Sequence, residues 1–242
     1  MNLLSIRQWF VRESGRYDLV VDTTNWIDNG ANAYINAAQR ALDRMQHTPL
    51  SLGHNWQSAA VNTRHVVFTS CRSIQRVFAT KISDGTRTEL EKKTLDYVKE
   101  LHFETNAVTG TPLYYAPGVF RLAPEADMSI GNLTVPANYL DYIGESPFLF
   151  NGVLFAPACD ESYAIETWGY FYSAELNEDS DETYWTTQHP EILVMAGQLI
   201  LEKFSRNTEG VKDWMNAIKS ELQGIDFDSV EEDISMVNQM EG

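Results

Sequence analysis

Two consecutive apolar stripes of helical period near the C-terminal end constrain this chain most. Leu193, Ala196, Gly197, Ile200 and Phe204 fall at i, i+3, i+4, i+7 and i+11, and Val211, Trp214, Met215, Ile218 and Leu222 repeat that spacing. Each stripe marks a helix with one apolar face, which is stable only when buried against another element. Pro190 and Glu191 suit a first helical turn, Arg206-Asn207 closes the first helix, and Thr208 caps the second. Gly224 is expected to end the second helix, with Trp214 buried between the two. Asp228 and Glu231 are spaced as a capping pair for a last short helix. This tail, Asp226 to Gly242, carries apolar residues and no basic one. It adds little to a monomer's core and reads as a surface for another subunit, with Phe227, Val230, Ile234 and Met236 as candidate partner contacts. A chain ending this way points to an assembly component rather than an enzyme.

The N-terminal end has the same character. Leu3, Ile6 and Phe10 share one face of a short helix that stops near Ser14-Gly15, where glycine supplies the left-handed C-terminal residue. After a polar link, ANAYINAAQRALDRMQ predicts a second helix with Tyr34, Ala38, Ala41 and Met45 on one face.

From about residue 48 the pattern changes. His65–Phe68 and Ile74–Thr80 are rich in β-branched and aromatic residues, and Asp84-Gly85 is a turn signal. Thr88–Leu101 fits a short helix, with a strand pair opening at Glu89–Leu90–Glu91 as the alternative. Short runs with proline in or beside them follow, read as edge strands and loops. Tyr163–Leu176 is the longest strand candidate. Its aromatic face, Trp168, Tyr170 and Tyr172, is either half of a β-layer's core or a ligand platform, packing being the simpler account. The expected fold class is therefore α+β: a discontinuous helical bundle, residues 1–47 and 183–242, interrupted by a β-rich inserted domain, residues 48–182. Helices at 2–14, 31–46, 190–205 and 209–222 are expected to form one bundle.

Charge is concentrated. The net charge is −16, of which residues 151–242 carry −15 and residues 51–100 carry +3. So acidic a C-terminal part repels a phosphate backbone and disfavours specific nucleic-acid binding, while suiting a wall past which DNA slides. Glu175, Glu178, Asp179, Asp181 and Glu182, in the acidic run before the final helices, are the candidate channel-lining residues, with solubility as the competing explanation.

The sequence carries little that reads as chemistry. It contains no G-x-S-x-G, phosphate-binding loop, G-x-G-x-x-G, H-E-x-x-H or C-x-x-C. The five histidines have no metal-ligand spacing, and the two cysteines, Cys71 and Cys159, read as reduced. No catalytic set, cofactor or metal is expected. No apolar run reaches the roughly eighteen residues of a membrane span, and the N-terminus lacks a signal peptide's order of charge and apolar run.

RESGRYDLV followed by DNGANAYINAAQRALDRM resembles the N-terminal part of the head-to-tail connector adaptors of tailed bacteriophages. Tyr184-Trp185, ILVMAGQLILEKF and the closing QMEG resemble the paired helices of the same family. The resemblance covers residues 1–46 and 163–242. It implies a structural virion protein, assembled in the host cytoplasm, forming a ring of about twelve copies below the portal. It further implies a portal protein and a tail protein (nozzle, stopper or tube) as partners, and genomic DNA passing through the lumen without specific binding. The alternative reading is a β-module that binds a carbohydrate or protein ligand within a tail or receptor-recognition component.

Overall fold

The computed structural model describes residues 1–45, 52–68, 70–103, 109–121, 128–130, 133–135 and 149–236. The fold is α+β and divides into two compact units, residues 1–51 with 172–242, and residues 52–171.

The first unit is helical. Helix α1 (Leu3–Ser14) starts at Asn2, whose side chain accepts from the Ser5 N–H, and stops at Gly15, held at φ +67°. A short loop follows, and then α2 (Ala31–Met45). The chain returns at residue 172, and α4 (Tyr184–Gln188), α5 (Pro190–Phe204) and α6 (Thr208–Met236) complete the unit. One apolar cluster joins them: Leu3, Ile6 and Phe10 of α1, Ile35, Ala38 and Leu42 of α2, Trp185 of α4, Leu193, Ala196 and Leu199 of α5, and Ile218 and Leu222 of α6. The single-stripe helices thus bury their faces on one another.

Two sequence expectations are corrected in this unit. Trp214 is only partly buried, packed against the cluster rather than inside it; the fully buried indole is Trp185. Gly224 does not end a helix, nor does Asp228 open a new one, because α6 runs unbroken to Met236. A glycine inside a helix costs only about 1 kcal/mol relative to alanine, and burial of Ile225 immediately after it opposes that cost.

The second unit is a two-layer sandwich with a helix on one side. The strands, in chain order, are β1 (Leu52–Ala59), β2 (His65–Phe68), β3 (Cys71–Lys81), β4 (Arg87–Glu89), β5 (Glu91–Lys92), β6 (Thr109–Gly110), β7 (Tyr114–Arg121), β8 (Met128–Ile130), β9 (Leu133–Val135), β10 (Leu149–Ala156), β11 (Ala158–Cys159) and β12 (Tyr163–Phe171), with α3 (Leu95–Phe103) between β5 and β6. One sheet has the order β1-β12-β3-β4 and the other β2-β10-β7-β5. Val66, Phe68, Val77, Tyr115, Val153, Phe155, Tyr163 and Ile165 fill the space between them. Val98 of α3 packs on Ala116, Leu154 and Ala156, covering the far face of the second sheet.

The stretch from Thr88 divides between both readings of it: Arg87–Glu89 and Glu91–Lys92 are strands, and the helix begins only at Leu95. Pro117 lies in β7, which is an inner strand rather than an edge or loop. It is tolerated because β5 pairs only with Tyr114 and Tyr115, so on that side β7 is an edge at Pro117. Residues 136–148, within the proline-bearing runs, lie outside the described residues.

Candidate functional site

The acidic run is an exposed loop, tied down at both ends. Three polar residues of α2 hold it. Asn36 donates to the Leu176 carbonyl and accepts from the Leu176 N–H, both at 2.9 Å. Gln39 donates to the Ala174 carbonyl at 2.7 Å and accepts from the Thr183 hydroxyl at 2.7 Å. Asp43 accepts from the Ser173 N–H at 2.8 Å and from the Trp185 indole at 2.7 Å. Asn36, Gln39 and Asp43 stand at i, i+3 and i+7, so one helical face pairs with the backbone entering and leaving the loop. These residues belong to the INAAQRALDR stretch, and their shared spacing is the signal by which the sequence reveals the contact. Because of these bonds the chain from residue 172 belongs to the helical unit, whereas the sequence boundary stood at 183.

The five candidate channel residues separate by role. Asp179 accepts from the Arg7 guanidinium at 2.8 Å, and Arg7 is 2% exposed. Arg7 also donates to the Trp26 carbonyl at 2.8 Å and to Asn32 at 2.9 Å. The Asp181 carboxylate accepts from the N–H groups of Asn177 and Glu178 at 2.8 and 2.9 Å, and these bonds hold its pKa below the usual carboxylate range. The carbonyls of Asp179 and Asp181 accept from Leu4 and Leu3 at 3.1 and 2.9 Å. Asp179 and Asp181 therefore serve the loop's own structure. Glu175 lies 3.8 Å from Arg40 on the surface, and Glu178 and Glu182 are exposed. These three leave the loop its outward charge.

The candidate partner contacts lie on α6. Among the described side chains, Ile225 is the last of this helix in the buried cluster, and Phe227 is 67% exposed. Val230, Ile234 and Met236 fall on the helical backbone, but their side chains lie outside the described residues.

The aromatic row does not form one surface. Tyr172 belongs to the helical unit, where its hydroxyl accepts from Arg44 at 2.9 Å. Trp168 and Tyr170 lie on the outer face of the β1-β12-β3-β4 sheet and are partly buried, which corrects the expectation that they form core. Trp168 stacks on His54, ring centroids 5.4 Å apart, and donates to Glu166 at 2.7 Å. Glu166, 5% exposed, also accepts from Arg87 at 2.6 Å. A side chain at Gly169 would place its Cβ 2.2 Å from the Ser73 carbonyl, so only glycine permits β12 to approach β3 there.

Among the described residues, no group of three His, Cys, Asp or Glu side chains is placed to hold a metal, and no helix is long and apolar enough to cross a membrane. A cleft lined by Gln75, Arg76, Glu89, Leu90, Glu91, Lys92 and Tyr115 holds the Arg76–Glu89 ion pair, 2.8 Å. Cys71 and Cys159 are not disulfide-bonded and are buried; burial pushes their thiols up to about 11 and about 12.

Residues 1–238 match the family model described as SU10 adaptor protein. A comparison with curated proteins finds none that matches.

Proposed function

The chain belongs to the SU10 adaptor protein family, and from that premise we propose that its copies form a ring below the portal that joins the capsid to the tail. As a phage head-to-tail adaptor it is a virion component of a structural family. The reading extends to about twelve copies in heterologous, head-to-tail contact, a portal protein above, a tail protein below, and genomic DNA passing through the lumen without specific binding. A structural rather than catalytic role agrees with ionisable groups engaged in ion pairs and loop ties.

The observation that carries this reading is the overrun of α6. Beyond Ile225 the helix continues to Met236 with Phe227 67% exposed, and residues 226–236 hold five acidic side chains and no basic one. An acidic helical extension with an exposed phenylalanine suits docking in a groove on a partner. Phe227, Val230, Ile234 and Met236 are the proposed contacts, and the portal or an adjacent adaptor subunit is the proposed receiver. Glu175, Glu178 and Glu182 are the proposed channel charges; Asp179 and Asp181 act through the loop that displays them.

The test is the native mass of the chain, alone and mixed with portal rings, for the full chain and for a chain ending at Asp226. The full chain should join the portal, and the shortened chain should stay folded but fail to join. Undiminished joining by the shortened chain would overturn the role given to α6.

The inserted unit supports a second reading, ligand binding by the β-module. Trp56, 47% exposed, stands on the same open sheet face as Trp168, and exposed indoles of this kind recur in binding surfaces. Titration of the chain with host surface polysaccharide, read by tryptophan fluorescence, tests the carbohydrate form; an unchanged spectrum removes it.

A further inference from the structure

The two sides of the β-sandwich are unequal. On one side the sheets end in β4 and β5, with sequences RTE and EK. These edges are two and three residues long, and four of their five residues are charged, the usual protection against unwanted strand pairing. On the other side the sheets end in β1 and β2, with sequences LGHNWQSA and HVVF. These two strands lie against each other, and neither contains an Asp, Glu, Lys or Arg.

Strand β1 is the open one. It pairs with β12 over eight consecutive residues, Leu52 with Tyr170 through Ala59 with Tyr163, without a bulge. In such an antiparallel ladder alternate residues turn their N–H and C=O groups away from the partner. Among the described residues no strand takes those groups up. The strand also lacks proline and lysine, and its outer-face side chains Leu52, His54, Trp56 and Ser58 are all exposed. A long, flat, uncharged edge is a template for strand addition.

We propose that β1 is a strand-addition site, and that its occupant is an extended, uncharged segment of a different virion protein. The backbone groups of the edge specify a strand, since only an extended chain offers the matching row of donors and acceptors. The neutral row beside it specifies a segment without charge, because a charged side chain laid between Trp56 and its neighbours gains no partner there. Among the described residues, the edges of a second copy of this chain do not fit. Its β4 and β5 are too short and too charged to serve, and its β2 offers four residues, half the length of β1. Its β1 pairs with another β1 only about a two-fold axis, which closes an assembly at two copies. That exclusion rests on the ring reading above; the open edge itself does not.

Backbone amide hydrogen exchange, read by mass spectrometry over Leu52–Ala59 with Arg87–Glu89 as the reference, tests the proposal. Three samples are compared: the free chain, the purified chain at concentrations where it self-associates, and connector complexes released from disrupted particles. Amides of β1 should exchange rapidly in the first two and slow by a factor on the order of ten or more in the third, with β4 unchanged. An Asn55→Lys/Gln57→Lys chain should fold and enter particles, yet lose the added protection. Protection already present in the free chain would show a segment of this chain covering the edge and overturn the proposal. Protection on self-association alone would make the occupant a copy, and protection nowhere would remove the site; either overturns it. Absence of the chain from particles would defeat the ring reading and this proposal together, and is seen before any exchange is measured.

Discussion

The guanidinium of Arg7 donates to the Asp179 carboxylate across 2.8 Å, the arginine 2% and the aspartate 57% exposed. The first helix thereby holds the acidic loop while Glu175, Glu178 and Glu182 stay exposed. Arg7→Ala leaves the Trp26 carbonyl and Asn32 without their donor and opens a void, and should destabilise by about 2–4 kcal/mol. Asp179→Ala removes one contact, with Asp28 still 4.0 Å from the guanidinium, and should have the smaller effect. Urea midpoints at constant slope check the order; a larger effect for Asp179→Ala would show the loop carboxylate to be the dominant partner.

The indoles of Trp185 and Trp214 should differ in the same measurement. Trp185 is 1% exposed and bonded to Asp43, so Trp185→Ala should cost about 3–5 kcal/mol. Trp214 sits at the margin of the cluster, so Trp214→Ala should fall well below that range. Equal losses would place Trp214 in the core after all.

Truncation should locate the end of the bundle near Ile225. A chain ending at Asp226 keeps Ile225, which is 7% exposed, and should melt within a few degrees of the full chain. A chain ending at Gly224 loses that burial, about 1.5–3 kcal/mol for an isoleucine. Identical melting of the two would show that Ile225 contributes nothing.

The cysteines should be inert in the native protein. With their thiols held at about 11 and about 12 by burial, little thiolate, the reactive form, exists at pH 8. Labelling by a disulfide reagent should proceed only as urea unfolds the inserted unit. Rapid labelling of both thiols without denaturant would contradict their burial.

Acid should weaken the chain in two stages. Burial lowers the His65 pKa below its ordinary value of 6.5. A histidine depressed in the folded state binds more protons when unfolded, so its stabilising share is present above about pH 6.5 and lost as pH falls through the folded value. Asp181 is depressed by backbone N–H bonds, and its share is lost lower, below about pH 4. His65→Gln should flatten the upper stage and Asp181→Asn the lower one, in stability measured from pH 8 to 3. An unaltered profile in either variant would remove that residue from the account.

The helices of the bundle were legible in the sequence because each carries its own period. A stripe such as Leu193, Ala196, Ile200 needs only the rule that apolar faces are buried, and the left-handed stop at Gly15 needs only the absence of a Cβ. The family resemblance rested on the same local features. The β-layer was legible in kind but not in arrangement: which strands lie at the edges depends on pairings between residues as distant as Leu52 and Tyr170, and no local pattern fixes those. The candidate site divides likewise. Charge count marked the acidic run, yet its separation into Asp179 and Asp181, used internally, and Glu175, Glu178 and Glu182, facing outward, depends on Arg7 and on Asn36, Gln39 and Asp43, far away in sequence. The length of α6 was misjudged locally, since the weak helix preference of Gly224 lost to the burial of Ile225. Sequence by itself determined which segments must hide a face; tertiary structure decided what each face meets, because burial and hydrogen bonding between distant residues outweigh propensities of about 1 kcal/mol.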